Sequence, residues 1–185
     1  EKMDLRSPDG NVEFQVDNQN NQLTYEVFHK GEPVITSSTL GLEAKQGNLS
    51  KGIILKTEQS EVNKTWSPMY GEKSEIINHY RENAIFYETT DGLSMTLRIR
   101  AYNDGVAFRY EIPEQENTEK ITLTKDLTTF GFEKDFECRK IRYRDMDSEF
   151  KPEPLSKVKY SKPPMVIQTE DSCVALNEAN IYDMS

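Results

Sequence analysis

Apolar residues in this chain recur at every second position. Val12, Phe14 and Val16 alternate with Glu13, Gln15 and Asp17, and after a polar tract at 17–22 the rhythm returns in Leu23, Tyr25 and Val27. A period of two sends successive side chains to opposite faces of an extended strand, so each stretch reads as a half-buried strand and the pair as a hairpin. Further strands are predicted at 53–56, 75–80, 84–88, 93–101, 106–112, 121–123, 128–132, 165–169 and 173–178. Asp91-Gly92 and Asn103-Asp104-Gly105 supply turns between them, because Gly and Asn tolerate the positive φ of tight hairpins. No window longer than two turns keeps the apolar stripe of a helix. Many short strands with frequent turns imply an all-β fold of antiparallel sheets packed as a sandwich. A chain of 185 residues buries a sizeable core as one domain, 1–185. Pro152, Pro154, Pro163 and Pro164 mark 151–164 as a long surface connection, not a boundary between cores.

Charge and hydropathy then restrict function. A net charge of -9 and a pI near 4.9 repel polyanions, so nucleic acid and anionic membrane are not expected partners, while neutral sugars remain compatible. The mean hydropathy of -0.77 describes a very polar surface, yet 10% aromatic residues are enough to argue against disorder. No apolar run is long enough for a transmembrane helix. The opening Glu1-Lys2-Met3-Asp4 lacks the apolar core of a signal peptide, and a start without an initiator Met reads as a processed or trimmed chain. Cys138 and Cys173 fit either one disulfide or two free thiols.

Candidate chemistry is sparse. Arg98, Arg100 and Arg109 alternate with apolar residues; they suit an anion site, but a solvated sheet face with glutamate partners explains them better. His29 and His79 are the only histidines, and neither sits in a motif that makes it the acid or base of a mutarotase-like enzyme. Asp145, Asp147 and Glu149 resemble the opening of a calcium loop without its glycine and distal glutamate. The triplets beginning at Asn48 and Asn63 match the glycosylation pattern at a level chance explains. Trp66, Tyr70 and Tyr80 are candidate sugar-stacking residues, with a core plug or a domain-interface anchor as the plainer role for Trp66. Glu178, at the end of an apolar strand, is by itself an ordinary surface carboxylate.

Several stretches together resemble one family. They are Ser7-Pro8-Asp9-Gly10; Tyr25-Glu26-Val27 with Gly31; Ser38-Thr39-Leu40-Gly41; Trp66 leading to Tyr70-Gly71-Glu72, Asn78 and Tyr80; the run from Arg100 through Asn103-Asp104-Gly105 to Tyr110; and Asn177-Glu178-Ala179-Asn180-Ile181-Tyr182-Asp183. In this order they are similar to the amino-terminal domain of glycoside hydrolase family 97, and the eleven-residue run at 100–110 is the specific part. The resemblance implies a galactose-mutarotase-like β-supersandwich followed by a (β/α)8 catalytic barrel, absent here, and a small C-terminal sandwich. It implies a parent enzyme that hydrolyses α-glucosides or α-galactosides in the periplasm or at the cell surface of Bacteroidetes-like bacteria, with calcium in its active site. The expected partners are the chain's own barrel and an α-linked oligosaccharide. The acid and the base or nucleophile would lie in the barrel. Glu178 matches the glutamate that helps ligate calcium from this domain, although Met184 stands where the family has tyrosine. An independent carbohydrate-binding module built on Trp66 and Tyr70 is the alternative reading.

Overall fold

A computed structural model describes residues 2–116, 120–141 and 151–179. It divides into two compact units, Glu1–Gly131 and Phe132–Ser185. Every strand pairing among the described residues is antiparallel, and the sole helical element there is one 3-10 turn at Leu155–Lys157. The expected all-β fold class is therefore what the chain adopts.

The first unit is built on two four-stranded sheets. One is a meander of β1 (Lys2–Arg6), β2 (Val12–Gln19), β3 (Gln22–His29) and β4 (Glu32–Thr39). The other runs β10 (Gly105–Glu111), β9 (Ser94–Tyr102), β8 (Ile76–Thr89) and β7 (Gly52–Trp66). A smaller sheet joins β5 (Leu42–Ala44) to β6 (Gly47–Asn48) and β11 (Leu123–Asp126). The period-two pattern decides which faces meet. Leu5, Phe14, Val16, Tyr25 and Val27 from the first sheet are buried, as are Ile85, Tyr87, Leu97, Ile99 and Ala101 from the second. An aromatic cluster sits where β2 and β3 meet β10. Phe14 stacks on Tyr25 at 5.3 Å between ring centroids, and Phe108 lies 6.2 Å from the first and 5.8 Å from the second.

Polar groups in this interior are matched to neighbouring loops. The Tyr25 hydroxyl donates to the Thr129 carbonyl at 2.7 Å, and that of Tyr87 to the Leu49 carbonyl at 3.0 Å. Tyr110 shares a 2.9 Å bond with the Thr128 hydroxyl. Burial pushes all three phenols above their ordinary range, so they stay neutral and act as fixed struts. The turn at 7–10 is similarly pinned. Ser7 is fully buried and donates to the Asp9 carboxylate at 2.6 Å, while the Asp9 backbone N–H donates to the Asn103 side-chain oxygen at 3.1 Å. Arg81 adds a bond to the Ser7 carbonyl at 3.3 Å. Two of the stretches that carry the family resemblance thus meet in space, one at each end of a bond that spans 94 positions.

The second unit is a sheet in the order β13 (Glu153–Pro154), β12 (Glu137–Ile141), β14 (Lys162–Gln168) and β15 (Cys173–Leu176). Cys138 pairs with Ile167 across one side of β14, and Ile167 pairs with Val174 across the other. Cys138 and Cys173 are therefore about two strand spacings apart, roughly 9–10 Å. A disulfide needs Cα atoms within about 7 Å. Both thiols are free, Cys138 buried and Cys173 exposed.

Several strand boundaries differ from the sequence expectation. The short strand predicted at 53–56 is the start of the fifteen-residue β7; its continuation is polar because nearly all of it is exposed on both faces. The strands predicted at 75–80 and 84–88 are one, β8, whose polar middle holds buried Glu82 and Asn83. The strand predicted at 121–123 sits at Leu123–Asp126, and 128–132 is irregular apart from a bridge between Thr36 and Gly131. Strands β1, β4, β5, β6 and β12 are not among the predicted ones; β1 and β5 do alternate, but over only five and three residues. The proline-rich connection at 151–164 contains β13, the 3-10 turn and the start of β14, so it contributes to a sheet.

Two outcomes test this packing. Phe14→Ala should cost about 3–5 kcal/mol, read as a fall in the urea midpoint at unchanged slope. Thiol titration of the native chain should find two thiols, with Cys173 labelling at least tenfold faster than Cys138. A single thiol-free species would contradict the strand order.

Candidate functional site

The face of the β7–β10 sheet that points away from the aromatic core gathers the arginines singled out from sequence. In the hairpin of β9 and β10, Arg98 faces Arg109 in register; across β8, Arg100 faces Glu82 and Arg98 faces Ala84. Strand pairing places Glu82 between the two arginines. Arg98 donates to one of its oxygens at 2.6 Å and Arg100 to the other at 2.6 Å. Arg98 also forms a two-pronged contact with Glu111, both bonds at 3.0 Å, and Arg109 pairs with Glu111 at 2.5 Å. Arg100 lies over the Tyr80 ring at 4.3 Å, and Tyr80 packs on Tyr102 at 5.1 Å.

Three arginines here share two carboxylates, so every charge is paired although the cluster keeps one positive charge in excess. Burial alone would raise the Glu82 pKa, but hydrogen bonds from Arg100 and Arg98 outweigh it and hold the carboxyl below its ordinary range. Arg98 holds Glu111 down in the same way. Each of these arginines is paired with Glu82 or Glu111, so the face acts as a cross-strand brace. Sequence reasoning anticipated glutamate partners for these arginines, but Glu82 and Glu111 become identifiable only once strand register is known.

The remaining candidates are dispersed. His79 bonds to Glu61 at 2.7 Å, and Arg81 holds the other Glu61 oxygen at 3.0 Å, which together lower the Glu61 pKa. That trio ties β7 to β8 and brings no second carboxylate opposite the histidine. His29 ends β3, in register with Glu32 and Val12. Asn48 accepts bonds from the backbone N–H and the hydroxyl of Ser50, so it closes a turn; Asn63 lies exposed on β7. Tyr80 is buried, whereas Trp66 and Tyr70 are exposed. Asp145, Asp147 and Glu149 lie outside the described residues.

Glu178 follows β15 by two residues and is exposed. Its carboxylate is a hard oxygen donor of the kind calcium prefers. Among the described residues no group of three or more His, Cys, Asp or Glu side chains is placed to hold a metal ion. Glu178 alone offers at most two of the roughly six to eight oxygens that a calcium ion takes.

The family model described as Glycosyl-hydrolase 97 N-terminal matches residues 5–185. The chain is 26% identical over 108 residues to a retaining alpha-galactosidase of Bacteroides thetaiotaomicron, covering 57% of this chain and 16% of that protein. It is 27% identical over 123 residues to a probable retaining alpha-galactosidase of Streptomyces bingchenggensis, covering 63% of this chain and 19% of that protein. Among solved structures, a Glycoside Hydrolase Family 97 enzyme of Pseudoalteromonas sp. strain K8, in complex with panose, superimposes with a TM-score of 0.84 at 26% identity. That match covers 91% of this chain and 27% of the other. The chain thus spans less than a third of the length of each of these relatives.

The Glu82 brace has a definite pH signature. A carboxyl whose pKa is lower folded than unfolded adds stability above its ordinary value of 4.5, and that stability is lost as pH falls through the depressed folded value. Thermal melts should therefore drop steeply below about pH 4.5. Glu82→Gln should lower stability by about 3 kcal/mol at neutral pH and flatten the acid limb, because it leaves two arginines sharing an uncharged acceptor.

Proposed function

The chain belongs to the Glycosyl-hydrolase 97 N-terminal family, and from that premise we propose that it serves as the accessory domain of a calcium-dependent hydrolase of α-glucosides or α-galactosides. In this reading it caps a catalytic barrel and lends one edge of the active site. The observation that carries it is the family match over residues 5–185, in a chain that spans less than a third of its relatives.

Glu178 is the residue this domain contributes. Standing exposed beyond β15, its carboxylate would hold calcium as one oxygen donor among several. Bound calcium supplies Lewis-acid polarisation and charge stabilisation at the sugar. The acid and the base or nucleophile that act on the glycosidic bond come from the barrel. The parent is proposed to work in the periplasm or at the cell surface, on α-linked oligosaccharides.

A second reading, an independent carbohydrate-binding module, is favoured by the exposure of Trp66 and Tyr70. Calorimetric titration with maltose and melibiose separates the two: saturable binding that disappears in Trp66→Ala would establish the module.

The accessory reading predicts that the 185-residue chain alone does not turn over p-nitrophenyl α-glucoside or α-galactoside. In the intact parent, Glu178→Gln should weaken calcium binding by at least tenfold and lower kcat/KM with it. Unchanged calcium affinity in that variant would remove Glu178 from the ion's coordination.

A further inference from the structure

The hairpin of β7 and β8 outgrows its sheet. The pairing of β8 with β9 ends at Tyr80 with Tyr102, but the pairing of β8 with β7 continues through Asn63 with His79, Lys64 with Asn78, Thr65 with Ile77 and Trp66 with Ile76. Beyond Tyr80, then, two strands continue as a bare ribbon, about 13 Å long at 3.4 Å per residue, closed by the loop at 67–75. An isolated two-stranded ribbon is marginal in water. This one is stiffened at its root, where Tyr80 is packed on Tyr102 and under Arg100, and where Glu61 is bonded to both His79 and Arg81.

Its end is apolar. Trp66 is 54% exposed, Ile77 69%, Tyr70 88% and Met69 96%. On a chain with a mean hydropathy of -0.77, these four large apolar side chains lie at one end of the ribbon, Trp66 on the face of Ile76 and Ile77 on the opposite face; other exposed apolar residues, such as Ile53, Leu55 and Tyr160, lie away from it. Tryptophan, tyrosine and methionine are the residues enriched at the centres of protein interfaces. A sugar platform uses flat aromatic faces with polar groups around them, whereas Met69 and Ile77 offer a sugar ring no flat face and no hydrogen bond. The tip is therefore better matched to an apolar protein surface. More than two-thirds of the length of each relative lies outside the matched region, and the family description places this domain at the N-terminal side of that remainder.

We propose that the β7–β8 ribbon is a docking arm whose tip, Trp66, Met69, Tyr70 and Ile77, seats in an apolar recess of the polypeptide that follows this domain in the parent protein. The inference rests on the accessory-domain reading and adds to it the element that makes the contact. The rooted ribbon fixes where the following domain sits, and seating removes the exposed tip from water.

The test uses the intact parent with p-benzoyl-phenylalanine in place of Tyr70. Irradiation followed by digestion should give a monomeric product in which residue 70 is joined to a peptide that lies after residue 185. In the unsubstituted parent, amides at 63–66 and 76–79 should exchange at least tenfold more slowly than in the double variant Trp66→Asp, Met69→Asp, with the β9–β10 hairpin unchanged. Crosslinks solely between two copies would assign the tip to self-association and overturn the proposal. Loss of crosslinking on addition of maltose or melibiose would assign it to sugar and do the same. Absence of any crosslink, with ribbon amides exchanging at open-chain rates, would also overturn it. Hydrolysis of α-glucosides and α-galactosides by the same preparation is read separately: an active parent without the crosslink loses the docking arm alone, and an inactive parent loses the accessory reading.

Discussion

The contact of Phe14 with Tyr25 and Phe108 holds the first unit together. Phe14 and Tyr25 come from neighbouring strands of one sheet, and Phe108 comes from the last strand of the other. Two antiparallel sheets have no covalent reason to face one another; burial of these rings supplies one, and the alternation along each strand brings the aliphatic residues with them. The hydroxyl of Tyr25 then ties the irregular segment at Thr129 to the same cluster. Everything on the outer face of the β7–β10 sheet depends on this attachment, because the register that sets Glu82 between Arg98 and Arg100 exists only once the sheet is formed.

The parts of the fold legible in the sequence were those in which one strand face is buried and the other wet. Val12 to Val27 and the β9–β10 hairpin follow this rule, and their predicted limits fall within a few residues of the observed ones. The rule fails where both faces share one environment. Beyond its first residues β7 is polar on both sides because both sides are exposed, so its length was invisible. The middle of β8 was read as a break because Arg81, Glu82 and Asn83 are polar, although two of them are buried. In that case a long-range ion pair replaces apolar burial, and no local pattern encodes it.

The same limit governs the candidate site. The arginines were visible, but their carboxylate partners were chosen by strand register, which a single strand cannot report. The run at 100–110 identified the family through its wording, and the structure supplies a physical reason for part of it: Asn103 receives the backbone N–H of Asp9 and so locks a second signature stretch in place. Glu178 is an exposed carboxylate beyond β15, and no local pattern marks it; its proposed role comes from the family resemblance alone.

The length of β7 has one more consequence. It lies at the border of its sheet, and beyond Gly52, which bonds to Asn21 and Asn18, no strand among the described residues pairs with its outer edge. Such a border invites templating, in which a second chain adds on and the process repeats. Here the invitation is withheld by Lys56, Glu58, Glu61 and Lys64, whose charges interrupt the strand, and by a register shift between Ile54 and Lys56 that breaks its regular pleat. The guards stop short of the apolar tip. A crowded solution of this protein is thus defended against fibril-like growth along the strand, while the far end stays sticky toward whatever complements its shape.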